Sequence, residues 1–141
     1  MGDVSWRKRV FLIVLTCGFV TSITIAQSKL CRPQRHAKLP SITQLTYHKA
    51  RSRLLTAGWQ PLATKSINKA KTDPDKASGN GQLFWKKGYL EVEACSGTGV
   101  AACAFLFSDA YGTRLRVTTA GEELPGEKAF AKVIGFRFVC D

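Results

Sequence analysis

The spacing of hydrophobic positions changes period once along this chain. Tyr47, Ala50, Leu54 and Ala57 recur at i, i+3, i+7 and i+10, the spacing of one helical face. Thr43 or Thr46 can cap the start of this helix, and Gly58 fits the left-handed position just past its end. Trp59 then turns the chain back and Pro61 forbids continuation. The opposite face carries His48, Lys49, Ser52 and Arg53, so the helix is amphipathic with a basic outside. Its apolar stripe is narrow, which argues for burial against a sheet and against a membrane-surface role.

From residue 83 onward the period is two. Leu90, Val92 and Ala94 alternate with Glu91, Glu93 and Cys95. A three-residue loop at 98–100 sets Cys95 opposite Cys103. A four-residue turn at 109–112 then sets Leu106 against Leu115 and Ala104 against Val117. In this register Leu90, Val92, Ala94, Ala104, Leu106, Leu115 and Val117 form a charge-free face that should bury against the helix. Glu91, Glu93, Cys95, Cys103, Phe105, Phe107, Arg114 and Arg116 fall on the other face. A last strand over 133–140 adds an edge, with Ile134, Phe136 and Phe138 alternating with Gly135, Arg137 and Val139. The pattern predicts an α+β domain: one amphipathic helix packed on a four-stranded antiparallel sheet.

Arg7, Lys8 and Arg9 precede an uncharged run over residues 10–26, which ends in Thr24-Ile25-Ala26. A basic start, an apolar middle and a small-x-small end predict a signal peptide over 1–26 and export to the periplasm or beyond. Two other readings stay open: an uncleaved anchor, which still leaves the domain outside, and a lipidated Cys17. The membrane enters only through an uncleaved signal. Residues 27–40 read as an extended basic lead-in, with Pro33 and Pro40. Residues 41–141 are then one domain. A polar connection over 62–82, around Thr72-Asp73-Pro74-Asp75 and Ser78-Gly79-Asn80-Gly81, reads as a mobile loop.

Charge is uneven along the chain. Residues 27–90 hold 13 basic and two acidic side chains, whereas residues 91–141 hold five basic and seven acidic. A basic first half suits an anionic surface such as lipid headgroups, polysaccharide or nucleic acid, but no basic run reaches the block length of a polyanion site, which favours the plainer reading of a solvated basic face that aids solubility.

Export also changes the meaning of the cysteines. Apart from Cys17 there are four, and four allow three pairings. The hairpin register favours Cys95–Cys103, because opposed strand residues lie within bridging distance. Cys31 and Cys140 then remain to close the chain near its ends. No close ligand pair of the C-x-x-C kind is present, so the spacing supports neither a zinc site nor a thioredoxin-like redox pair. No cofactor is implied.

Catalytic patterns are scarce. His36 sits in the basic lead-in and His48 on a helix face beside Lys49, so both read as solvated. Ser96 in Cys-Ser-Gly-Thr-Gly lacks the strand–turn–helix setting of a nucleophile. The glycines match neither a P-loop nor a dinucleotide fingerprint. Glu91 and Glu93 at i, i+2 form a carboxylate pair of the kind glycosidases use, faced by Arg114 and Arg116.

Phe105 and Phe107, bordered by Glu91 and Glu93 on one side and Arg114 and Arg116 on the other, read as an apolar strip suited to an interface. The alternative is that the 62–82 connection, or the 120–132 segment with Leu124, Pro125 and Phe130, covers that strip. The reading reached is a non-catalytic exported binding module, acting on an unidentified protein, as an interaction or an inhibitor, or on an anionic envelope component. A polyanion-binding envelope protein is one alternative. A glycan-acting envelope enzyme using Glu91 and Glu93 is the other. Export argues against a nucleic-acid partner.

The run Tyr47-x-x-Ala50-Arg51-x-x-Leu54-x-x-x-Gly58-Trp59-x-Pro61, followed by Cys95-Ser-Gly-Thr-Gly and Cys103, resembles small exported bacterial proteins of uncharacterised function. The resemblance spans about residues 45–140 and implies a periplasmic or secreted domain. It implies no activity.

Overall fold

A computed structural model describes residues 31–64, Asp73 and residues 78–140. The signal segment 1–26, the start of the lead-in and most of the 62–82 connection lie outside the described residues. Among the described residues the architecture is α+β with two α-helices and five antiparallel strands, one helix and one strand more than the sequence pattern predicts.

Helix α1, Tyr47–Thr56, buries Tyr47, Ala50 and Leu54, the face the periodicity identifies. Gly58, at φ +95°, ends it. Its N–H bonds Leu55 O at 3.1 Å and Trp59 N–H bonds Leu54 O at 3.0 Å, the paired bonds of a Schellman motif. Thr46 occupies the N-cap, but its side chain makes no cap bond. The start of α1 is held instead by the segment leading into the last strand, where Tyr47 N–H donates to Ala131 O at 2.9 Å.

The second helix, α2 (Gly79–Lys86), takes up residues 79–82 at the end of the predicted 62–82 loop and residues 83–86 of the stretch read as β. Eight residues do not sustain a helix in water, so packing must hold it. Phe84 is buried edge-on against Tyr47 and Phe105, at 5.3 and 5.0 Å between ring centroids. Its end repeats that of α1. Gly88 sits at φ +79°, Gly88 N–H bonds Trp85 O at 2.9 Å, and Tyr89 N–H bonds Phe84 O at 3.1 Å.

The sheet consists of β1 (Gln60–Pro61), β2 (Val92–Cys95), β3 (Cys103–Ser108), β4 (Arg114–Ala120) and β5 (Lys132–Val139). Both β1 and β2 pair with β3, and β4 and β5 follow on its other side. Cys95 faces Cys103 and Ala94 faces Ala104, as the hairpin register predicts. A bulge between Val92 and Ala94 then brings Val92 opposite Phe105. The next hairpin departs from expectation by one residue: Phe107 pairs with Leu115, Phe105 with Val117, and Leu106 with Arg116.

That slip reverses β3. Phe105 and Phe107 are fully buried with Leu115 and Val117, while Ala104 and Leu106 fall on the outer face. Asp109 is the local cause. Its Oδ1 accepts Tyr111 N–H at 3.0 Å and Thr113 N–H at 2.8 Å, and its Oδ2 accepts Ala37 N–H at 2.6 Å. These bonds hold a five-residue loop between Ser108 and Arg114 where the sequence suggests four. Energetics favour the same register, because burying a phenylalanine contributes about 1.5–3 kcal/mol and burying an alanine far less. Tyr47 stacks on Phe105 with ring centroids 3.6 Å apart.

Both disulfides, Cys95–Cys103 and Cys31–Cys140, form as paired from the sequence. They are compatible with an oxidising, extracytoplasmic location. Cys31–Cys140 spans 109 residues of sequence. Beside that bridge, His36 lies against Phe138, and the Trp59 indole N–H bonds Lys38 O at 3.1 Å.

Candidate functional site

The acidic side chains organise this domain from within. Glu91 is fully buried beneath α1. Its Oε1 accepts the Tyr47 hydroxyl at 2.8 Å and Arg51 Nε at 2.6 Å, and its Oε2 has no partner among the described residues. The Arg51 guanidinium lies 4.4 Å from the centre of the Tyr89 ring, a cation–π contact. Burial pushes the Tyr47 hydroxyl pKa well up, and the charge of Glu91 pushes it further. Burial likewise raises Tyr89, with Arg51 opposing. For Arg51, burial pulls the pKa down and the bond to Glu91 more than reverses it.

The chain of contacts continues through His48. Its Nδ1 bonds the Tyr89 hydroxyl at 3.0 Å, and its Nε2 bonds the Glu123 carboxylate. Glu123 is buried, and its second oxygen accepts Ala131 N–H at 3.1 Å. Asn80 of α2 closes the set. Its Oδ1 accepts Glu123 N–H at 2.8 Å, while its Nδ2 donates to Ala101 O and Gly121 O. His48, read from the sequence as solvated, is therefore wedged between two helices and the 121–131 segment. This chain of bonds ties α1, α2 and the sheet together.

The outer sheet face has the opposite character. Arg116 holds Glu93 with two bonds, at 2.6 and 2.5 Å. Arg137 stands across from Arg116 in the β4–β5 register and is exposed. Arg114 shares this face. Its half-buried neighbours Ala104, Leu106 and Thr118 supply only a thin apolar floor.

This arrangement corrects the sequence reading of the site. Phe105 and Phe107 belong to the core and offer no strip to a partner. The bulge in β2 also separates Glu91 and Glu93, which the sequence places on one face. Glu91 turns inward to Arg51, whereas Glu93 turns outward to Arg116. The two carboxylates therefore face opposite ways, each held by its own arginine. Ser96 takes up a turn role, donating from Oγ to Thr98 O at 2.9 Å.

What the sequence could not display is the net result for the surface. Of seven described acidic residues, Asp73, Glu91, Asp109 and Glu123 are buried and Glu93 is held by Arg116. Glu122 and Glu127 are the exposed acids among the described residues. Against them stand ten exposed basic residues among the described residues, from Arg32, Arg35 and Lys38 in the lead-in to Lys132 and Arg137 on β5. The positive charge read along the sequence is thus concentrated on the outside of the fold. No protein-family model, curated protein or solved structure matches this chain.

Proposed function

We propose that this chain is an exported, non-catalytic binding domain that recognises an anionic partner in the periplasm or outside the cell. The observation that carries this reading is the asymmetry of exposed charge: ten basic residues against two acids among the described residues. Folding consumes the acids, because Arg51, Arg116, His48 and backbone amides hold them. The basic side chains stay in water, where their summed field attracts anions and steers their approach. The signal-like segment 1–26 and the two disulfides support export. The opposite facing of Glu91 and Glu93 weighs against the glycan-acting alternative.

The test uses the exported, disulfide-bonded protein with dextran sulfate and uncharged dextran as probes. The reading expects saturable binding to the sulfated polymer alone. Equal binding to both polymers, or binding to neither, overturns it.

A further inference from the structure

The outer edge of β5 is one of the sheet edges left largely unpaired among the described residues. Its inner edge pairs with β4 from Lys132 to Val139, interrupted by a bulge that leaves Ile134 without a partner on β4. Among the described residues, backbone bonds from other segments reach its outer edge only at its start, where Gln44 N–H bonds Val133 O and Val133 N–H bonds Leu45 O, and its far end is flanked by the Cys31–Cys140 bridge and by His36 against Phe138. Among the described residues, no backbone bond from a segment other than β4 reaches 134–139. Natural sheets blunt such edges, because unpaired N–H and C=O groups recruit other strands. Here the backbone cover stops at Val133, and the bulge at Ile134 and the charge of Arg137 are the protection that remains beyond it. Beyond it lie Ile134, 52 % exposed, and Phe136, 40 % exposed, the large hydrophobic side chains left exposed within the described strands.

The side chains along this edge specify what would fit. Phe136 pairs with Val117 and so shares the core face, at the rim of the apolar cluster. Arg137 points to the outer face, across from an Arg116 already neutralised by Glu93. A strand added here would meet an apolar rim on one face and an uncompensated cation on the other. Lys132 adds a second exposed cation at the start of β5.

We infer that the outer edge of β5, residues 134–139, takes up an extended segment of a partner protein in which apolar and acidic residues alternate. Backbone bonds supply the attachment, as in other cases of strand addition. Phe136 and Ile134 receive the apolar side chains and Arg137 receives the acid. This rests on the anionic-partner reading and narrows it to an acidic protein segment.

The experiment follows amide hydrogen exchange in the exported protein with an eight-residue peptide alternating Glu and Val. A peptide of the same composition, with four Glu followed by four Val, serves as control. The inference expects exchange at 134–139 to slow by at least about tenfold with the alternating peptide only. Arg137→Glu and Ile134→Lys, both at exposed positions, should each weaken peptide binding about tenfold while the circular dichroism spectrum stays unchanged. Unaltered exchange at 134–139, or equal binding of the block peptide, overturns it. So does concentration-dependent protection of the edge without peptide and with doubled mass, since a second copy is then the occupant. Binding of dextran sulfate without peptide binding sinks this inference and leaves the anionic-partner reading standing. Binding of neither probe sinks both.

Discussion

Replacing Arg51 with methionine should be one of the most damaging single changes on the surface of α1. Arg51 is only partly buried, so sequence logic alone suggests a mild effect. The structure suggests otherwise, because Arg51 is the cation that compensates the fully buried Glu91. Arg51→Met leaves that carboxylate with the Tyr47 hydroxyl on one oxygen and nothing on the other. Breaking a buried pair on one side costs about 3–5 kcal/mol, since the remaining charge is stranded in a poorly polarisable interior. For a domain of this size, 1 kcal/mol moves the melting temperature by roughly 4 °C, so a fall of at least about 12 °C is expected. Glu91→Gln removes the charge and keeps a hydrogen-bonding group, while Arg51 can turn to water, so it should cost about 1–2 kcal/mol. The double variant should resemble Glu91→Gln and be more stable than Arg51→Met. Denaturant unfolding with both disulfides intact measures all three. The reasoning fails if Arg51→Met costs less than about 1 kcal/mol, or if the double variant is as unstable as Arg51→Met.

Three further outcomes follow from the same geometry. Tyr47 and Tyr89 both have raised pKa values in the fold, so the stability they contribute is present below about pH 10 and is lost as pH rises beyond it. Absorbance at 295 nm should show Tyr47 ionising together with alkaline unfolding, and free titration of every tyrosine in the folded state would contradict this. Phe105→Ala should cost about 3–5 kcal/mol in denaturant unfolding, as a core truncation; a near-neutral effect would restore Phe105 to an exposed face. Gly88→Ala should cost about 1–2 kcal/mol from the positive φ alone, because a Cβ there meets nothing within 4 Å. An unchanged melting temperature would contradict the left-handed end of α2.

The sequence pattern reached the fold class because the features behind it are local. The face of α1, its Gly58-Trp59 end and the Cys95–Cys103 register depend on neighbouring residues, and all three are present. The same end signal was available in Phe84-x-x-x-Gly88-Tyr89, a match to Leu54-x-x-x-Gly58-Trp59, but Ser78-Gly79-Asn80-Gly81 before it has loop chemistry. Those glycines accompany a buried Asn80 whose three partners are distant in sequence. The inner face of β3 was not readable by alternation, since Ala104 and Leu106 are as apolar in pattern as Phe105 and Phe107. The arginines of β4 fix only the outer face of β4. What joins the two strands is the length of the 109–113 loop, set by the carboxylate of Asp109.

The candidate site was less legible for the same reason. His48 and Glu123 are 75 residues apart, and Arg51 and Glu91 are 40 apart. Nothing in local spacing marks either pair. Charge counting indicated a basic chain, but only the fold reveals which charges are spent inside it.

The most direct measurement of the central claim is the affinity of the exported protein for dextran sulfate across a salt series from about 50 to 200 mM. Displacement of counterions by several surface cations predicts that the logarithm of affinity falls linearly with the logarithm of salt concentration, weakening at least about tenfold across the series. An affinity that stays level across that range would contradict a function carried by exposed positive charge.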